Sequence, residues 1–133
     1  MADKAATTDK LAQNAFTGNF SIGTLTATLA YTNVLTVPTI SGTHRYLVIA
    51  AFEFGNASGG AYCEFSGAIA KNGTISKQLY TDAFSGCWFL GHMVTGTLDV
   101  VTGDVISLGA TASVSGRGVG SRSAYAIVDL GKV

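Results

Sequence analysis

Apolar and polar residues alternate along most of this chain with a period of two. That spacing sends successive side chains to opposite faces of a β-strand. The clearest stretch is Met93 to Ser113. Val94, Gly96, Leu98 and Val100 alternate with Thr95, Thr97, Asp99 and Val101. After a break, Ile106, Leu108, Ala110 and Ala112 alternate with Ser107, Gly109, Thr111 and Ser113. The break, Val101-Thr102-Gly103-Asp104, has turn chemistry: glycine takes positive φ without a Cβ clash, and aspartate bonds nearby turn amides. The pattern predicts two strands paired as a hairpin.

Upstream, Phe16, Phe20 and Ile22 share one phase, and Leu25, Ala27, Leu29 and Tyr31 take the other. The change falls at Gly23, where a bulge is tolerated. Asn33 to Ile40 reads as a short strand that Pro38 confines to an edge or an end. His44 to Phe54 is the strongest strand and is apolar in both phases: Tyr46, Val48, Ala50, Phe52 and Phe54 on one side, Leu47, Ile49 and Ala51 on the other. A strand of this kind is covered on both faces. A two-sheet sandwich covers one of them, so a neighbouring subunit is the simplest cover for the second. Tyr46, Phe52 and Phe54, with Trp88 and Phe89 further on, are the predicted subunit-interface residues.

Gly55 to Gly60 reads as a loop and Ala61 to Lys71 as a strand. Lys71-Asn72-Gly73-Thr74 predicts a type I′ hairpin turn. Pairing Ala70 with Ile75 suits it, but then Ala68 meets Lys77, which leaves the register open. Thr81 to Gly86 and the glycine-rich Ser115 to Ser121 read as loops. Ser123 to Leu130 closes the chain as a strand, with Ala124, Ala126, Val128 and Leu130 on one face. Residues 1–15 are polar and Ala-rich, an expected arm or attachment segment. Residues 16–133 form one domain. Eight to ten short strands with no helical period predict an all-β antiparallel two-sheet sandwich.

The pattern L-x-V-x-x-G-D-x-I-x-L, Leu98 to Leu108, resembles the penultimate hairpin of the tumour-necrosis-factor-like jelly roll, a superfamily that includes complement-type globular heads and some phage and bacterial fibre tips. Y-x-V-x-A-x-F at Tyr46 to Phe52 resembles the central strand of that fold, and I-x-K-N-G at Ile69 to Gly73 is similar to its middle hairpin. The resemblance covers roughly residues 18–132 and rests on order and spacing. It implies a jelly-roll sandwich that associates around a threefold axis. The string AATTDKLAQN, residues 5–14, resembles linker text that precedes the tip domain in phage tail-fibre chains.

Composition sharpens the oligomer question. The chain is 47% hydrophobic but 12% charged, with a mean hydropathy of +0.37. Ordinary soluble domains carry about 25% charged residues. Either Thr, Ser, Gly and Asn do the solvating, or much of the surface is buried against copies of the chain; two-faced apolar strands favour the second. A formal net charge of zero provides no general attraction to nucleic acid or anionic membrane. The longest apolar run, Tyr46 to Phe52, is far short of the ~20 residues of a membrane span. The first ten residues lack the apolar core of a secretory signal. The expectation is a soluble protein.

Candidate chemistry is sparse. His44 and His92 belong to no H-E-x-x-H or H-x-H run. Glu53 and Glu64 could in principle act as a carboxylate pair on a glycosidic bond. Gly116, Gly118 and Gly120 lack dinucleotide-binding spacing, and no G-x-S-x-G elbow occurs. Asp99 and Asp104 flank a turn without a third acid to complete a calcium site. Asn19, Asn56 and Asn72 open N-x-S/T sequons, which matter only in a secretory host. Cys63 and Cys87 are too few for zinc; they read as buried thiols, with a disulfide open if their strands adjoin. No catalytic, metal or cofactor centre is expected. Binding is expected on loops, with Asn56, Ser58, Arg117 and Arg122 the candidates. These readings combine as a non-enzymatic homotrimeric virion surface protein of phage type, either a capsid decoration protein or a fibre tip. Its partner would be a virion attachment protein or a host surface receptor such as a glycan. The alternative is a soluble lectin-like or cytokine-like recognition module.

Overall fold

The computed structural model describes residues 15–56, 62–84 and 87–133. Eight strands follow one another: β1 (Ala15–Leu25), β2 (Ala30–Thr36), β3 (His44–Gly55), β4 (Cys63–Lys71), β5 (Thr74–Ala83), β6 (Phe89–Val100), β7 (Val105–Ala112) and β8 (Arg117–Lys132). They form two four-stranded antiparallel sheets, ordered β1-β8-β3-β6 and β2-β7-β4-β5. Every connection except β4–β5 crosses from one sheet to the other, as in a jelly-roll sandwich. Ser58 and the arm up to Asn14 lie outside the described residues.

The β4–β5 hairpin turns on Asn72 and Gly73, with φ of 50° and 80°, as a type I′ turn requires. A bulge between Ile69 and Ala70 resolves the register: Ala70 pairs with Ile75, Ile69 with Lys77 and Ala68 with Gln78. The break at Gly23 also holds, as β1 shifts register against β8 between Ile22 and Leu25.

The expected Met93–Ser113 hairpin is corrected. Both strands exist and Gly103 takes a φ of 87° between them, but they belong to different sheets. β6 pairs with β3 along its whole length, from His44↔Val100 to Gly55↔Phe89. β7 instead lies between β2 and β4. The turn is an arch over the end of the sandwich. Its exit is held by Val37, whose N–H donates to Asp104 O at 2.8 Å and whose carbonyl accepts from Gly103 N at 2.9 Å.

Between the sheets lies one apolar core. Phe54 stacks on Phe65 of the opposite sheet at 4.6 Å between ring centroids, and on Phe52 at 5.5 Å. Phe20 meets Phe52 edge-on at 5.1 Å. Such aromatic pairs add to the burial of their area. Gly67 makes room for this cluster, since a Cβ there would fall 2.7 Å from the Phe52 ring.

This core overturns part of the predicted interface. Tyr46, Phe52 and Phe54 are 0–2% exposed within a single chain, so no neighbour can reach them. The larger apolar phase of β3 fills the chain's own interior, where its aromatic volume is needed. The other phase, Leu47, Ile49 and Ala51, faces outward and is half-buried.

Candidate functional site

The connections β1–β2, β3–β4, β5–β6 and β7–β8 gather at one end of the sandwich, tied by backbone bonds. Gly116 N donates to Leu25 O at 3.3 Å, Ala112 N to Thr26 O at 2.9 Å, Ser113 N to Glu64 O at 2.8 Å and Asn56 N to Trp88 O at 2.8 Å. The far end holds tight turns locked by charged and amide side chains. Among the described residues the exposed aromatics, Tyr31, Tyr62, Tyr80, Phe84, Trp88 and Phe89, all lie in the half toward the gathered connections. Exposed aromatic side chains at a rigid strand end carry large contact area for a partner.

Within that end, Trp88 and Phe89, 57% and 61% exposed, wall an open groove of about 320 Å³. Its floor is backbone: Gly55, Gly116, Gly118 and Gly120, with Val119. Two of these glycines are tightly packed. A Cβ on Gly118 would stand 3.0 Å from Gly23 O, and one on Gly120 would collide with the Glu53 carboxylate.

Two arginines flank this groove. Arg122 Nε pairs with Glu53 Oε2 at 2.8 Å, and its guanidinium stands 5.8 Å from the centroid of the Phe89 ring, a cation–π distance. Arg117 Nε donates to Asn56 Oδ1 at 2.8 Å. The expected glycine-rich loop is largely strand, because β8 begins at Arg117 and pairs with β3 through Gly55↔Gly118 and Phe54↔Val119. Asn56 is corrected as a surface contact: it is fully buried, and its carboxamide holds Arg117. The structure thus brings Arg117, Arg122, Trp88 and Phe89 to one place. By sequence alone they divide between loops and interface, because nothing local shows that Phe89 pairs with Gly55 across β3–β6.

The remaining candidates are dispersed. Glu53 lies on the outer face of one sheet and Glu64 on the outer face of the other, so they cannot flank one bond. His44 Nδ1 contacts the Asp129 carboxylate at 2.9 and 3.0 Å, whose Oδ1 also accepts from Gly131 N at 2.8 Å. His92 Nε2 lies 3.1 Å from Leu79 O. Asp99 is taken by Arg45 in a two-point contact of 2.8 and 3.1 Å, and this bond holds its carboxyl below the ordinary range. Asp104 accepts from Val101 N at 2.9 Å and from Asn72 Nδ2 at 2.8 Å. The Val101 bond first, then the Asn72 bond, lowers its pKa. Cys63 and Cys87 are free thiols, and no group of three or more metal-ligating side chains occurs among the described residues. No helix among them is long and apolar enough to cross a membrane.

No protein-family model matches the sequence. No curated protein matches it either. Solved structures do share its shape. The Eiger TNF of S. frugiperda superposes with a TM-score of 0.51 at 11% identity, covering 86% of this chain and 94% of its own. Dimeric latent PorU from Porphyromonas gingivalis gives 0.46 at 6% identity, covering 87% of this chain and 13% of its own. A family 35 carbohydrate-binding module from Clostridium thermocellum gives 0.42 at 21%, covering 87% and 93%. The Eiger match carries the fold: the chain is a jelly-roll sandwich of the tumour-necrosis-factor-like shape.

Proposed function

We propose that this chain is a non-enzymatic recognition head that works as a homotrimer on a virion surface of phage type, as a fibre tip or a capsid decoration protein. The observation that carries the self-association is the outer face of the β1-β8-β3-β6 sheet. Leu47, Ile49 and Ala51 of β3 stand beside Val128, Ala126 and Ala124 of β8. Met93, Thr95 and Thr97 of β6 flank them on one side, and Ala15, Thr17 and Asn19 of β1 on the other. The centre of the face is aliphatic, and its margins carry the short polar side chains Thr17, Asn19, Thr95 and Thr97 beside Ala15 and Met93. Charge pairs Arg45–Asp99 and Glu53–Arg122 join β3 to β6 and to β8 at the two ends. An apolar centre within a polar rim is the anatomy of a subunit interface.

The recognition half of the reading rests on the groove of Trp88 and Phe89 between Arg117 and Arg122. Trp and Arg are the residue types that most often dominate binding energy. The virion placement rests on the resemblance of residues 5–14 to fibre linker text. Incubating purified protein with empty capsids and with host cells tests it. Retention on capsids supports a decoration protein. Retention on cells, weakened by Trp88→Ala and by Arg122→Ala, supports a fibre tip. Retention on neither contradicts the virion reading and leaves the soluble lectin-like or cytokine-like module, which the exposed aromatic end equally supports.

A further inference from the structure

The second sheet carries a feature that the reading above does not use. On the outer face of β2-β7-β4-β5 the two central strands present small side chains, apart from Glu64 at the start of β4. Ser66, Ala68 and Ala70 of β4 are wholly buried, and Ser107 of β7 nearly so, yet none belongs to the apolar core. What buries them is the length of the side chains on the edge strands. Gln78 and Tyr80 of β5 pair opposite Ala68 and Ser66. Tyr31 of β2 lies across Gly109, where a Cβ would fall 2.9 Å from its ring. The face is therefore a small-residue trough filled over most of its length by the aromatic and amide side chains of its margins.

Toward the gathered connections the trough widens into a pocket of about 300 Å³, lined by Glu64, Gln78, Tyr80, Thr111, Ser113 and Leu29 among others. Its volume is at the lower end of the range for small-molecule sites. Its polar groups are held in place. Ser66 Oγ lies 2.6 Å from Thr111 Oγ1 and accepts from Gln78 Nε2 at 2.9 Å. Ser113 Oγ accepts from Glu64 N at 2.8 Å. The Gln78 amide keeps a second N–H and a carbonyl oxygen beyond the bond to Ser66, and the Glu64 carboxylate offers acceptors only. Donors and acceptors thus sit together, beside an exposed tyrosine ring and an aliphatic wall from Leu29.

We propose that this pocket binds one neutral pyranose ring of a glycan. A pyranose has hydroxyl groups that donate and accept at its rim and an apolar C–H face, and the pocket offers an amide, hydroxyls and a carboxylate with one aromatic ring face. Glu64 and Asp82, paired across β4–β5 on this face, disfavour an anionic sugar. The site is separate from the Trp88 groove and does not depend on the oligomer.

Titration of isotope-labelled protein with the methyl glycosides of glucose, galactose and mannose, followed by NMR, tests the inference. At least one should give saturable shifts centred on the amides of Gln78, Tyr80 and Thr111. Tyr80→Ala, at a mostly exposed position, and Gln78→Leu, which keeps the bulk but loses the amide, should each weaken binding about tenfold. Trp88→Ala should leave it unchanged, and methyl glucuronide should bind more weakly than methyl glucoside. Overturning results are no saturable shift with any of the three glycosides, shifts confined to the Trp88 groove, undiminished binding in both pocket variants, or tighter binding of the glucuronide.

Discussion

Asn72 takes a φ of 50° and also spans two turns. Its Nδ2 donates to Asp104 Oδ1 at 2.8 Å, and its Oδ1 accepts from Val105 N at 2.8 Å. Replacing it with alanine removes both bonds and leaves a Cβ residue at positive φ. Asn72→Ala should cost about 1–3 kcal/mol in urea denaturation. Asp104 depends on the same lock. Its carboxyl is lowered from an ordinary 3.8, so the folded chain binds that proton less tightly than the unfolded one. The resulting stabilisation is full above the ordinary value and is lost as pH falls through the lowered folded value. Denaturation midpoints should therefore fall as pH drops below about 4, and the acid slope should be shallower in Asp104→Asn. Gly67→Ala drives a Cβ into the Phe52 ring, an overpacking that should cost about 1–3 kcal/mol. The Asn-Gly turn was legible because turn chemistry is local. Its partner Asp104 was not, since 32 positions separate them.

At the scale of the strand, existence was legible and placement was not. His44–Phe54 reads as a strand from its residues alone, and β3 has almost those bounds. Which of its two apolar phases turns inward depends on the aromatic partners Phe20 and Phe65, which come from other strands. The β6–β7 arch shows the same limit. A Gly-Asp turn suits a hairpin and an arch alike, and only the full-length pairing of β6 with β3 decides between them. The groove was legible in its residue types and not in its assembly, because Arg117 and Trp88 are joined through Asn56 and the β3–β6 ladder. Removing an inward aromatic should therefore differ sharply from removing an outward one. Phe54→Ala should cost about 3–5 kcal/mol. Trp88→Ala should change stability by no more than about 0.5 kcal/mol while weakening partner binding. Thermal denaturation of the two variants side by side checks the contrast.

For the whole molecule, the low charge content takes a specific place. The sheet faces differ: one is aliphatic at its centre, the other is a trough of small and polar residues. The ends differ too, one aromatic and open, the other locked by Asn72, Asp104 and the Arg45–Asp99 pair. In the proposed function the aliphatic face is the adhesive one and the aromatic end the recognition one, an arrangement suited to display as a cluster with the aliphatic faces turned to one another. A charge in the centre of that face should disperse the cluster, because an unpaired ammonium buried at an interface costs several kcal/mol. Ile49→Lys should thus yield a folded monomer. The most direct test is the solution mass of the unaltered protein by light scattering. The account predicts about three times 13.6 kDa; a mass of 13.6 kDa, independent of concentration, would contradict it.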